Sequence, residues 1–287
     1  MAIPLALFAL YVIWGSTYLA IRIAVRTIPP FLMGGGRFLV AGAVLFVFLR
    51  ARGAPAPGVR QWGGAAIVGT LLLAGGNGLV GFSEQSVASG LAALLIATVP
   101  IWAALFARIW GRWPTRLESV GLVLGIAGVA VLNVGSGLHG HPLAAALLVV
   151  AACSWAFGSV WSQHLPMPAG LMASAAAMLT GGAVMLILGA ARGEHLHALP
   201  SVASILAVLY LIIVGTLIAF SAYNFLLQNV RPALATSYAY VNPGVAVLLG
   251  VVLQGEAVTS LEVVALFVIL TAVALVILGR QRAASAV

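Results

Sequence analysis

Read as apolar and polar positions, the chain is a train of long apolar runs separated by short polar breaks. A membrane-crossing helix needs about 20 mainly apolar residues. Runs near 4–25, 31–49, 62–82, 89–109, 117–135, 142–162, 169–190, 203–226, 233–253 and 260–279 are of about that length. They are too long and too evenly apolar for the alternating strands of a barrel, and an open sheet cannot exist in lipid. The pattern predicts an all-α integral membrane protein with ten transmembrane helices. The longest breaks, "RARGAPAPGVRQ" and "RGEHLHALPS", leave no room for a soluble domain.

Composition strengthens this reading. Of the 287 residues, 63% are hydrophobic and 6% are charged, against about 25% charged in a soluble domain. Such a chain could not cover a soluble surface, so membrane lipid is its expected surroundings. The N-terminal stretch "MAIPLALFALYVIWGSTYLAIRIAV" has no basic residue before its apolar run and no small-residue cleavage site after it. It reads as a retained first helix. The net charge of +8 comes entirely from arginine and glutamate, scattered between runs with no basic cluster. Nucleic acid is therefore not an expected partner. Cys153 lies between Ala152 and Ser154 in an apolar run and reads as a small packing residue.

The arginines also orient the chain. With the N-terminus in the cytoplasm, Arg50, Arg52, Arg60, Arg108, Arg112, Arg116, Arg231, Arg280 and Arg282 fall on the cytoplasmic side. Arg22, Arg26 and Arg192 fall on the other, with Arg37 just inside the second span. This bias predicts a multi-pass protein of the cell inner (plasma) membrane with both termini cytoplasmic.

The chain then repeats itself. At an offset of 143, Phe82, Gln85, Val87 and Pro100 meet Phe225, Gln228, Val230 and Pro243. At 144, Thr115 and Glu118 meet Thr259 and Glu262; at 141, Trp14 meets Trp155. Two halves of five spans follow, residues 1–138 and 139–287. An odd number of spans per half gives them opposite orientations. Inverted repeats of this kind place a substrate site near the midplane, between the halves. Pro100 and Pro243 break matching spans. Broken backbone at membrane depth is tolerated only against protein or a wet cavity, so the two prolines are read as kinks that gate a shared cavity.

The motifs "WGSTYLAIR", "GGRFLVAG", "FSEQSVASGLAALLIATVPIWAAL", "ALATSYAYVNPGVAVLLGVVLQGEAVT" and "LEVVALFVILTAVALVIL", in that order, resemble the EamA type of the drug/metabolite transporter superfamily. The resemblance covers essentially the whole chain. It implies ten helices in two inverted five-helix repeats and export of small metabolites. The tryptophan- and tyrosine-rich spans look most like the YddG group of aromatic amino-acid exporters. One departure stands out. Glu256 follows the ninth span in "QGEAVT", but Arg112 holds the matching place after the fourth, so no role needing a matched pair of acids is expected.

Aromatic and amide side chains inside spans are the candidate substrate ligands: Trp14, Tyr18, Asn77, Trp102, Trp155, Tyr223, Asn224, Tyr238 and Asn242. Aromatic walls suit a flat apolar or zwitterionic ligand, and amides inside a membrane either bind a ligand or join helices. Trp62, Trp110 and Trp113 sit beside arginines at span ends, as headgroup-level tryptophans do. Arg37 and Glu84 are expected to pair near one membrane face, and Glu84 is the best placed carboxylate for sensing protons. No acid lies deep in a span, so facilitated diffusion suffices. Gly121 and Gly125 predict a helix contact. The His-x-His pairs lack further ligands, so no metal is expected and no cofactor. No nucleotide-binding or hydrolase motif is present, and the chain is not expected to be an enzyme. The expected function is export of a small organic solute, most simply an amino acid, aromatic or other neutral, by alternating access. A channel, or an exporter of other metabolites or drugs, is the alternative. A single copy is expected to suffice.

Overall fold

The computed structural model describes residues 2–111, 113–135, 141–229 and 238–284. They are all-helical, with no strand among them. Helix α1 is Ala2–Ala24 and α2 is Pro30–Ala51. Helix α3 runs Val59–Ser83, α4 Ser89–Trp110, α5 Arg116–Gly135, α6 Pro142–His164 and α7 Leu171–Ala191. Helix α8 begins as Val202–Tyr210 and ends as Ala219–Asn229; α9 is Tyr238–Gln254 and α10 Ser260–Ala284. Among the described residues, eight helices are long and apolar enough to cross a membrane, and Val241–Gln254 is a shorter apolar helix. Valines and leucines stay exposed along their outer faces, for example Val40, Val44 and Val47 on α2. That is the surface a lipid-facing helix presents.

The helices pair closely: α2 lies along α7, α5 along α10, α1 along α9 and α8, and α6 along α3. Glycine permits two close approaches of α5. A Cβ on Gly121 would sit 2.7 Å from the Ala272 carbonyl oxygen of α10. A Cβ on Gly125 would strike Ile101 of α4. The expected contact at this glycine pair is present, and it joins α5 to two neighbours.

Two features depart from straight α-helix. In α3 the stretch Thr70–Gly78 is π-helix, and in α8 so is Leu211–Ile218. Neither was visible in the apolar pattern, which a π turn barely disturbs. In α8 the wide turn is marked by Thr216, whose hydroxyl donates to the Leu211 carbonyl five residues back at 2.8 Å.

The two prolines behave differently. Helix α4 breaks at Ala97–Thr98 and restarts as Val99–Phe106, with Pro100 in its first turn. A proline there loses no bond the helix would have made. Pro243, by contrast, sits inside an unbroken α9. On that side the helix carries the proline through without an interruption. Beside it Asn242, with its amide nitrogen turned inward, donates to the carbonyls of Tyr11 (3.2 Å) and Tyr238 (3.1 Å) and holds α9 to α1.

The matched Thr–Glu pairs are reciprocal helix caps. Thr115 N donates to Glu118 Oε2 at 2.7 Å and Glu118 N to Thr115 Oγ1 at 3.2 Å. Thr259 and Glu262 repeat this at 2.8 Å and 3.2 Å. Each satisfies backbone donors that the first turn of a helix leaves open.

Candidate functional site

A cavity of about 150 Å³ lies among α1, α2, α3, α4, α6, α8 and α9. It draws on helices from both ends of the chain, and both prolines border it. From α4 the lining residues include Ala93, Ile96, Ala97 and Pro100, spaced as one helix face.

Six expected ligands meet here: Trp14, Tyr18, Asn77, Trp155, Tyr238 and Asn242. Trp14 is fixed on several sides. Its ring meets Tyr238 edge-on at 4.7 Å and Phe220 edge-on at 5.5 Å, with Tyr223 tilted against it at 5.3 Å. Its Nε1 donates to the Gly215 carbonyl at 3.3 Å. Tyr223 therefore stands behind the wall and braces Trp14 rather than lining the space. Trp155 fits because position 76 is glycine: a Cβ there would lie 2.7 Å from the Trp155 ring.

Two expectations turn out otherwise, and a third falls on a side chain that is not described. Trp102 is not in the lining. It packs with Ala103, Ala156 and Val160, and its Nε1 donates to Thr98 Oγ1 at 3.1 Å. Two residues past Pro100 it is turned about 200° around the helix axis. The side chain of Asn224 lies outside the described residues. Arg37 and Glu84 form no ion pair: neither Glu84 carboxylate oxygen has a hydrogen-bond partner, and the Arg37 Nε donates to Thr216 Oγ1 at 3.0 Å. The arginine, expected near a membrane face, instead enters the cavity between the wide turn of α8 and its own neighbour Phe38.

The electrostatics follow. Arg37 is 4% exposed and is the charged residue of the lining. Beyond the Nε bond to Thr216, no hydrogen bond joins its two terminal nitrogens or the Asn77 amide to any described residue. Both sets of donors face the open space of the cavity. Both are placed to be satisfied by something that enters. A guanidinium offers paired donors in a plane, which matches a carboxylate. Aromatic faces around it suit an apolar body or, weakly, an ammonium group. Sequence reasoning missed Arg37 as a cavity residue because snorkelling to the headgroups explained it cheaply. The signal that could have found it is Gly34 and Gly35 just before it, small residues that bring α2 close to α7. Among the described residues no three His, Cys, Asp or Glu side chains converge as metal ligands would.

Comparison with known proteins fits this architecture. The EamA-like transporter family matches residues 1–134 and 142–278. The chain is 51% identical over 276 residues to the uncharacterized inner membrane transporter YedA of Escherichia coli K12, covering 96% of this chain and 90% of that one. It is 28% identical to a probable terminal-alkyne amino-acid exporter of Streptantibioticus cattleyicolor, covering 98% and 96% of the two chains. It is 25% identical to a probable amino-acid metabolite efflux pump of Salmonella typhimurium, covering 88% and 86%. A solved crystal structure, 22% identical, superposes with a TM-score of 0.66 over 96% of this chain and 97% of the other, a likeness of fold. The chain is a membrane transporter and not an enzyme, and it belongs to the EamA-like transporter family.

Proposed function

We propose that this transporter exports small organic metabolites that carry a carboxylate, amino acids first, by alternating access through the cavity. The observation that carries the reading is the pair of open donors, the Arg37 guanidinium and the Asn77 amide, inside an aromatic chamber. The carboxylate would sit on Arg37 and the apolar or aromatic side chain against Trp14, Trp155 and Tyr238. That arrangement supports the likeness to aromatic amino-acid exporters. The names of the Streptantibioticus and Salmonella relatives point the same way.

The moving parts would be two inverted halves of five spans, residues 1–138 and 139–287, in a chain of ten spans. The two matched stretches support this division. So do the two π segments, which begin 141 positions apart at Thr70 and Leu211, the offset that puts Trp14 on Trp155. The halves would rock about the cavity, with the break in α4 as one bending point and Pro243 as the other. The protein would sit in the inner membrane with both termini cytoplasmic and would work as a monomer.

The test is uptake by proteoliposomes of labelled tryptophan, phenylalanine, threonine, a polyamine and a sugar. Saturable uptake of tryptophan or phenylalanine is expected, with none of the polyamine. Loss of charge-assisted hydrogen bonds worth about 1.5–3 kcal/mol should lower the Arg37→Gln rate about tenfold or more. Polyamine uptake at the amino-acid rate, or an Arg37→Gln variant with unchanged amino-acid uptake, would overturn the reading.

A further inference from the structure

Beside the cavity lies a second polar cluster. It forms where α1 ends, α4 begins and α9 ends. Arg22 Nη1 pairs with Glu256 Oε1 at 3.0 Å and also donates to the Val87 carbonyl at 3.0 Å. Glu256 is saturated. Its Oε1 accepts from Ser89 N at 3.0 Å and Ser89 Oγ at 2.9 Å, and its Oε2 accepts from Gly90 N at 3.3 Å. One carboxylate thus clasps the first turn of α4 to the end of α9 and, through Arg22, to α1.

The second acid here is the opposite case. Glu84, in the turn after α3, is 2% exposed, and neither of its oxygens has a hydrogen-bond partner among the described residues. A bare carboxylate in such a place loses its hydration and gains nothing in return, which costs several kcal/mol; the acid is neutralised instead. The charges that act on it are Arg22 from α1 and Glu256 beyond α9, and Tyr18 of α1 lies close enough to feel it. The other helices packed on the end of α3 bring it no counter-charge. Arg37 of α2 is bound to Thr216, and α6 offers the Ala144 carbonyl, which accepts from Ser83. His141 at the start of α6 makes no ion pair with it. Burial pushes the Glu84 carboxyl well above the usual carboxylate range; Arg22 opposes this and Glu256 adds to it.

The acid is not repeated in the other half of the sequence. Glu84 stands inside the F-x-x-Q-x-V motif, and the second copy of that motif has Leu227 at the matching place.

We propose that Glu84 is a proton-binding site that couples transport to a proton gradient, with Arg22 as the group it exchanges with Glu256. In the arrangement seen here Glu84 holds its proton and Arg22 holds Glu256, so the clasp on α4 is closed. When the Glu84 proton leaves for water, Arg22 is drawn to the new carboxylate. Glu256 then loses its cation, and the clasp joining α1, α4 and α9 loosens. The Nε and Nη2 of Arg22 bond to no described residue in the closed arrangement, so donors are available for the exchange. Tyr18, one turn before Arg22 on α1, lines the cavity. Movement of α1 therefore reaches the substrate.

The experiment has two arms, and the second rests on the function proposed above. The first needs no substrate. The chain has five acidic residues, all glutamate. Glu118, Glu194, Glu256 and Glu262 each accept backbone N–H bonds, whereas Glu84 accepts none from the described residues. Infrared spectra of the purified protein in lipid at neutral pH should then show one protonated-carboxyl band. It should titrate away as pH rises and be missing in Glu84→Gln. Absence of the band from the wild type overturns the proposal, even if no member of the transport panel is carried. The second arm compares tryptophan counterflow with accumulation driven by a pH gradient in proteoliposomes. Glu84→Gln mimics the neutral acid and should keep counterflow within about twofold while losing gradient-driven accumulation. Wild-type protein that shows counterflow but no accumulation driven by the gradient, or Glu84→Gln that still accumulates fully, overturns it.

Discussion

Position 76 decides how deeply Trp155 can lie. A Cβ on Gly76 would come within 2.7 Å of the Trp155 ring, so Gly76→Ala must drive the ring into the cavity. Overpacking of this kind costs about 1–3 kcal/mol. The expected result is tryptophan uptake lowered about tenfold, with threonine uptake lowered less, read as initial rates in proteoliposomes. An equal loss for both would point to misfolding instead. At this scale much of the chamber is legible without a structure. Trp14, Tyr18, Asn77, Trp155, Tyr238 and Asn242 are large or polar in the middle of apolar runs, and the fold gathers them around one space. Trp102 had the same credentials and lies elsewhere. Presence in a span does not say which way a side chain turns. Arg37 erred in the other direction: a long side chain near a span end can reach headgroups or a cavity, and only the neighbours choose.

Helix ends and helix breaks depend on local chemistry to different degrees. The caps do so fully. Thr-x-x-Glu joins residues three apart, so the paired motifs at 115–118 and 259–262 carry their own geometry. Thr259→Ala should lower stability by about 1 kcal/mol, read by thermal unfolding in detergent, with substrate preference unchanged. A shifted preference would mean that this end of α10 takes part in the cycle. The breaks are less local. The same residue type interrupts α4 near Pro100 and passes through α9 at Pro243. Asn242 ties that part of α9 to α1, a contact no single helix contains. The π segments were hidden for a similar reason. Their purpose is visible only across helices, where Gly215 offers its carbonyl to Trp14 and Thr216 its hydroxyl to Arg37.

For the whole molecule, pH gives a separate reading of the buried acid. The folded value of Glu84 lies above the unfolded value of about 4.3, so the native state binds more protons than the unfolded state between the two. Its contribution to stability is fully present below the unfolded value and is lost as pH rises through the folded one. Thermal unfolding should therefore fall in temperature as pH rises above the ordinary glutamate range, and Glu84→Gln should flatten that slope. A slope unchanged by the substitution would assign it to other groups. The chain by itself determined that this is an all-helical membrane protein, because length and hydropathy of a run are properties of the run. The likeness of its halves and of its motifs to a transporter family was equally written in residue order. Only the tertiary structure decided that Arg37 stands open in the chamber, that Glu256 takes Arg22, and that Glu84 is left bare. Charge partners in a bundle come from helices far apart in sequence, and burial, which makes their pairing matter, exists only once those helices have packed.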